Sequence, residues 1–155
     1  MATDDINVVD PDNGSGTNYT SLNLWEDGED GNLVSSDIVA IAKCRCTGGT
    51  ADTTALMFDG WTTDATRYIK IWTDPAEAYR HDGKWNTSKA RLLVNNAVAI
   101  SIREDYVFFD GMQISSGTLS SANNGVIISD ICGSPSLLTF INNVITVDGG
   151  SNGTY

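Results

Sequence analysis

Asn95-Asn96-Ala97-Val98-Ala99-Ile100-Ser101 returns 28 residues later as Asn123-Asn124-Gly125-Val126-Ile127-Ile128-Ser129, with five of the seven positions identical. The residues that follow the first copy, Val107-Phe108-Phe109-Asp110-Gly111-Met112-Gln113-Ile114-Ser115, have a weaker echo. It is Leu138-Thr139-Phe140-Ile141-Asn142-Asn143-Val144-Ile145-Thr146, offset by 31. A period of this size, made of short β-type runs separated by Gly and Asn turns, predicts a stacked solenoid in which each repeat is one coil of a parallel β-helix. The Asn-Asn pairs at 95–96, 123–124 and 142–143 suit the turns, since Asn tolerates left-handed backbone. Stacked in successive coils they either form a hydrogen-bonded ladder or act simply as polar turn residues.

Working back toward the N-terminus, alternation supports the same fold. Ile38, Ala40, Ala42, Cys44 and Cys46 fall on one side of a strand, with Val39, Ile41, Lys43 and Arg45 on the other. Further short strands are expected at Ile6–Val9, Ala55–Phe58, Arg67–Trp72 and Arg91–Val94. Asp10-Pro11-Asp12-Asn13-Gly14-Ser15-Gly16 is a dense turn cluster. After it, Thr20 or Ser21 can cap a short helix with Leu22 and Trp25 on one face, ending by Gly28 or Gly31. The expected architecture is all-β, a right-handed parallel β-helix with a short N-terminal capping helix over Tyr19–Asp27. Residues 1–37 carry the first strand, the turn and the cap, and 38–155 the coils. Residues 74–89 form a long irregular segment, about 15 residues, which is either functional or packed as a protrusion from the shaft. At the far end, Asn152-Gly153 lies 28 residues after Asn124-Gly125, so Thr154-Tyr155 opens a third repeat whose open side calls for a cap or a neighbouring subunit.

Bulk composition narrows the function. A chain of 155 residues is about one domain. Nine basic against twenty acidic residues give a net charge of -11, which disfavours nucleic-acid phosphate and anionic membranes as partners. Met1-Ala2-Thr3-Asp4-Asp5 shows no basic segment leading into an apolar core. The chain is therefore retained in the cytoplasm, released from it by a route other than secretion, or a piece of something longer. Cys44 and Cys46 are too close to bridge each other within a strand, and with Cys132 they read as small buried hydrophobes.

Asn18-Tyr19-Thr20-Ser21-Leu22-Asn23-Leu24-Trp25-Glu26 and Asp59-Gly60-Trp61-Thr62-Thr63-Asp64-Ala65-Thr66-Arg67-Tyr68-Ile69-Lys70-Ile71 resemble the opening of a group of right-handed parallel β-helix proteins. That group belongs to the broad pectate-lyase-like class found in tailed phages and environmental bacteria. The likeness spans roughly residues 5 to 115 and is generic beyond Ile114. It implies the fold and a setting on phage particles or bacterial surfaces, and it brings no catalytic residues.

The residues themselves offer little chemistry. Lyases of this fold use an Arg or Lys base beside calcium-binding acids, yet Arg67, Lys70, Lys84, Lys89, Arg91 and Arg103 are scattered. Hydrolases need two carboxylates at a defined separation. Glu104, Asp105 and Asp110 are near in sequence, but Asp110-Gly111 reads equally as a turn. His81-Asp82 lacks a partnering nucleophile and reads as surface loop. Asp10-x-Asp12-x-Gly14 and Glu26-Asp27-Gly28-Glu29-Asp30 cluster oxygens that suit calcium, but neither completes a calcium loop, so no cofactor is expected. Aromatic residues carry more weight, because flat rings stack on sugars and anchor protein interfaces. Trp72, Tyr79 and Trp85 are the expected partner- or glycan-binding residues, and Trp61 and Trp72 alternatively pack the shaft's outside against the loop.

The expected function is that of a non-enzymatic virion protein, a capsid-decoration or fibre-type component. It would dock to capsid or fibre subunits and to further copies of itself, with a surface for weak glycan contact. The rival is the N-terminal part of a polysaccharide lyase or glycoside hydrolase. A third reading is an adhesin at the bacterial surface or outside the cell.

Overall fold

The computed structural model describes residues 1–95, 97–116, 128–130 and 137–147. The first copy of the duplicated motif, apart from Asn96, lies within this range. Asn123–Ile127, Cys132 and Asn152–Tyr155 lie outside the described residues.

Eleven strands and two short helices make up the described chain. The strands form three sheets, and every strand pair in them is parallel. The five-stranded sheet holds β1 (Thr3–Val9), β2 (Ile38–Cys44), β4 (Ile69–Trp72), β7 (Val107–Asp110) and β10 (Leu138–Ile141), in that order. A second sheet orders β11 (Val144–Val147), β8 (Gln113–Ser116) and β5 (Arg91–Val94). The third orders β3 (Leu56–Phe58), β6 (Ile100–Ile102) and β9 (Ile128–Asp130). From β4 onward the chain visits the three sheets in strict rotation. Between β2 and β3 it touches the second sheet at Asp52, which bridges in parallel to Leu92.

The two sequence offsets are the registers of pairing. Ile100 sits opposite Ile128, 28 residues on, while Val107 sits opposite Leu138 and Gln113 opposite Val144, each 31 on. Between β7 and β8 the chain turns at Gly111, with φ of 81°, and between β10 and β11 at Asn142, with φ of 53°. Asn142 thus repeats the left-handed corner of Gly111 one round later, as its short polar side chain allows. Here the Asn pair does not stack on another Asn. Asn142 donates to Asp110 Oδ1 at 3.0 Å, and Asn143 donates to the Phe109 carbonyl at 3.1 Å while accepting from the Met112 N–H at 2.8 Å.

Alternation puts the apolar residues between the sheets. Ala42, Ile71, Phe109 and Phe140 lie in one register row and Ala40, Ile69, Val107 and Leu138 in another. Phe109 and Phe140 stack with centroids 4.7 Å apart and planes 5° from parallel, which matches the spacing of adjacent strands. Cys44 and Cys46 are buried free thiols in this core. The other face of β2 is not polar throughout, since Val39 and Ile41 are buried as well.

Helix α1 (Leu22–Glu29) begins at Ser21, whose hydroxyl accepts the Leu24 N–H, and runs through Gly28 to Asp30. It stops before Gly31, the second of the two expected limits, and Gly28 inside it provides room. A Cβ there would lie 2.8 Å from the Tyr19 hydroxyl, which donates to Glu29. α1 lies against β3, β1 and β2 with Leu22 and Trp25 buried. A second helix, α2 (Leu33–Ser36), follows in a stretch for which no element was read from the sequence. It is a single turn capped by the Asn32 side chain, too short for apolar periodicity to reveal.

Candidate functional site

The segment joining β4 to β5 lies against the shaft as a strap. Lys43 on β2 reaches Asp74 at 2.9 Å and Glu77 at 2.7 Å. Arg45 grips both Glu77 oxygens, at 2.8 and 2.6 Å. Further along, Arg80 binds Asp110 at 2.6 Å and donates to the Thr73 carbonyl at 2.7 Å. Gln113, fully buried on β8, accepts the Asn86 N–H at 2.6 Å and donates to the Asn86 carbonyl at 2.9 Å. Cys46 donates to the Ser88 carbonyl at 3.3 Å. These bonds hold the Glu77 carboxyl below its ordinary range, chiefly through Arg45, and Asp74 likewise, chiefly through the Ala76 N–H.

The three aromatic residues expected to bind a partner are placed differently from one another. Tyr79 packs against the core cluster, and its carbonyl accepts the Ala90 N–H at 2.9 Å. Trp85 is half-buried on the strap. Trp72 faces outward from the five-stranded sheet, with the Lys43 and Lys70 ammonium groups 5.6 and 4.9 Å from its ring centroid. No ring contact among the described residues joins these three. Trp61 does not pack outside against the loop. It is buried, 5.6 Å from Trp25 between centroids, and its indole N–H donates to Glu26 at 3.0 Å.

Two outward residues that the sequence reasoning passed over complete the face around Trp72. Tyr68 and Phe108 have ring centroids 4.6 Å apart, and Phe108 pairs in register with Lys70. All four of Tyr68, Lys70, Trp72 and Phe108 are half-buried. Alternation placed Tyr68, Lys70 and Trp72 on one side of their strand, and that was the available signal. Phe108 needed the pairing register. Tyr68 also walls a groove of about 550 Å³ that includes Asp4, Asp37, Thr66 and Arg67. Arg67 is tied there to Asp37 and Asp64, at 2.9 and 2.8 Å.

A second hollow, of about 400 Å³, opens between the strap and the β10–β11 corner, with Arg80, His81, Asn142 and Asn143 in its wall. His81 Nδ1 accepts the Gly83 N–H at 3.0 Å, so the neutral ring carries its proton on Nε2. Nε2 is enclosed and has no hydrogen-bond partner among the described residues. No hydrogen bond among the described residues joins His81 to Asp82.

Most of the clustered carboxylates are occupied by hydrogen bonds within the chain. Asp10 accepts from the Asp12, Gly14 and Thr47 N–H groups and from the Thr47 hydroxyl, at 2.7 Å. Asp12 accepts from Gly48 and Thr50, and its carboxyl is held below the usual range, chiefly by Thr50. In the Glu26–Asp30 run, Glu26 takes the Asp59 N–H and the Trp61 indole, Asp27 takes Asn23, and Glu29 takes Tyr19, whose hydroxyl is pushed up to about 12 by that bond. Among the described residues no group of three or more His, Cys, Asp or Glu is placed to hold a metal ion. Arg91 and Arg103 are used structurally, on the Gly49 carbonyl and on Asp59. Glu104 accepts the Trp61 N–H, and burial pushes its carboxyl up.

Fold and site together define a protein of three parallel sheets visited in turn, with one outward face carrying aromatic rings and lysine. Compared with known proteins, the chain matches no family model, no curated protein and no solved structure.

Proposed function

We propose that the three sheets are the walls of a right-handed parallel β-helix, and that the protein is a non-enzymatic structural component of a virion. In this reading it is a capsid-decoration or fibre-type protein whose shaft docks to capsid or fibre subunits and to further copies of itself. The rotation of the chain through the sheets supports the architecture, because each complete turn adds one strand to every wall. The virion setting rests on the resemblance carried by residues 18–26 and 59–71.

One observation carries the functional part. Six charged groups of the strap and of the adjoining wall, Lys43, Arg45, Asp74, Glu77, Arg80 and Asp110, are spent on one another in ion pairs that fasten chain to chain. Such an arrangement makes a stiff surface for docking.

The test has two parts. In density-gradient-purified particles from the source culture, an antibody to the chain should detect it at a fixed ratio to the major capsid protein. Absence from particles, together with release of unsaturated uronates or reducing ends from polysaccharide by the purified chain, would establish the rival lyase or hydrolase. A chain found only on bacterial cells would support the adhesin. For the architecture, an electron-density map showing a left-handed or unstacked path would overturn the β-helix.

A further inference from the structure

We infer that the free edge of β1 receives an extended segment of a partner protein as an added parallel strand of the sheet, and that this segment carries adjacent basic residues followed by an apolar one. The inference rests on the docking role, whose surface and partner chemistry it names, but not on the virion setting.

β1 stands at the end of the five-stranded sheet and pairs with β2 over its whole length, Thr3 to Val9, without a bulge. The Thr3 N–H donates to the Asp37 carbonyl and the Val9 carbonyl accepts the Arg45 N–H, so the odd-numbered residues bond toward β2. Val8 turns the other way. Its N–H donates to the Asn18 side chain, and its carbonyl accepts the Asn18 and Tyr19 N–H groups. Asp4 and Ile6 share the direction of Val8, and among the described residues nothing takes their N–H and C=O groups. Asn18 and Tyr19 therefore close the edge at Val8 and Val9 and leave it open from Thr3 to Asn7. Such an edge is a template for another strand, which would satisfy these groups by main-chain hydrogen bonds.

The side chains decide which strand it takes. Asp4 and Ile6 lie on the outward side with Val39 and Ile41, and Asp5 on the inward side with Ala40. Among the described residues neither the Asp4 nor the Asp5 carboxylate is in an ion pair or a hydrogen bond. A second copy of β1 fits poorly. The two-fold antiparallel register that uses both open residues sets Asp5 opposite Asp5, and like charges directly opposite destabilise a pair. Each chain also brings a net charge of -11. A strand running parallel, as every pair in these sheets does, meets Asp4, Asp5 and Ile6 in that order. It is complementary when it offers a basic residue to each carboxylate and an apolar one to the Ile6 side chain, which is 48% exposed.

The experiment is titration of the full chain, followed by amide-resolved NMR, with the capped peptide Thr-Lys-Lys-Val-Thr-Val and with Thr-Glu-Glu-Val-Thr-Val. Saturable binding of the lysine peptide alone is expected, weakened by added salt, with slowed hydrogen exchange at the Asp4 and Ile6 amides. Ile6→Pro removes an outward N–H and no bond to β2, so it should abolish binding with unchanged circular dichroism. Asp4→Asn together with Asp5→Asn should weaken binding about fivefold. Asp82→Asn, on the strap, should leave it unchanged. Absence of saturable binding overturns the inference. So does equal binding of the two peptides, binding indifferent to Ile6→Pro, or protection elsewhere than at Asp4 and Ile6. Protection of these two amides that rises with chain concentration alone, without peptide, makes a second copy the occupant and overturns it too. Detection of the chain in purified particles is read independently, so loss of the peptide site leaves the docking role standing.

Discussion

Helix α1 and the strap both pack against the three parallel sheets, and they are fastened by opposite physics. α1 is held by burial. Trp25 is fully enclosed against Trp61, and the carboxylates nearby are buried too, Glu26 on the indole of Trp61 and Asp52 on the Leu22 N–H at 2.6 Å. Burial pushes both carboxyls above their ordinary range. The strap has fewer apolar anchors and many half-exposed ion pairs; Arg45 chiefly holds the Glu77 carboxyl down, and the Ala76 N–H, then Lys43, that of Asp74. Removing either cover should therefore need a different lever.

The cap breaks by loss of volume. Trp25→Ala removes the largest fully buried side chain and is expected to cost about 3–5 kcal/mol, read as a lower midpoint in urea for the whole chain. A cost under about 1 kcal/mol would mean that α1 is not part of the cooperative unit. The strap breaks through a buried polar anchor. Gln113→Leu leaves the Asn86 N–H without its partner and the Asn86 carbonyl with the Lys89 N–H alone, a penalty of about 1–3 kcal/mol. Hydrogen exchange should rise across 74–90 while the α1 amides stay protected. Uniform acceleration of both would show that the two covers are coupled.

Acid sharpens the contrast with the smallest effect. Asp74 and Glu77 have folded values below their unfolded ones, so the stability they add is present near neutrality and lost as the pH falls through the folded values. Glu26 and Asp52 have folded values above their unfolded ones. Their contribution has the opposite sign, falling as the pH rises from the unfolded toward the folded value, so acidification relieves the cap. Brief pepsin treatment at about pH 3 should cut within 74–90 before 22–36, and Glu77→Gln should bring a small part of that lability to neutral pH, under about 1 kcal/mol. Earlier cutting in the cap would contradict this.

How much of this the sequence displayed depended on distance along the chain. Periodic features were legible. The 28- and 31-residue offsets at Ile100 and Val107 are the pairing registers, and Ser21 caps the helix that its position announced. Contacts between unlike residues far apart were not. Nothing near Glu26 marks Trp61 as its partner, and nothing in 74–89 marks Gln113 as the anchor for Asn86. The long segment therefore read as either functional or a protrusion, and an outside position for Trp61 stayed open as an alternative. Charge scattered along the sequence proved, in Arg45, Arg80 and Arg67, to be charge gathered in space.

The bond from Asp52 to the first turn of α1 bears on the order in which the molecule assembles. An eight-residue helix is marginal by itself in water. The groups that fix this one, Asp52, Phe58, Asp59 and Trp61, all come from later in the chain. During synthesis the residues of α1 leave the ribosome well before their partners, so the first helix to be made is expected to settle only after β3 exists. The beginning of the chain waits for its middle, and the lid closes on a shaft already begun.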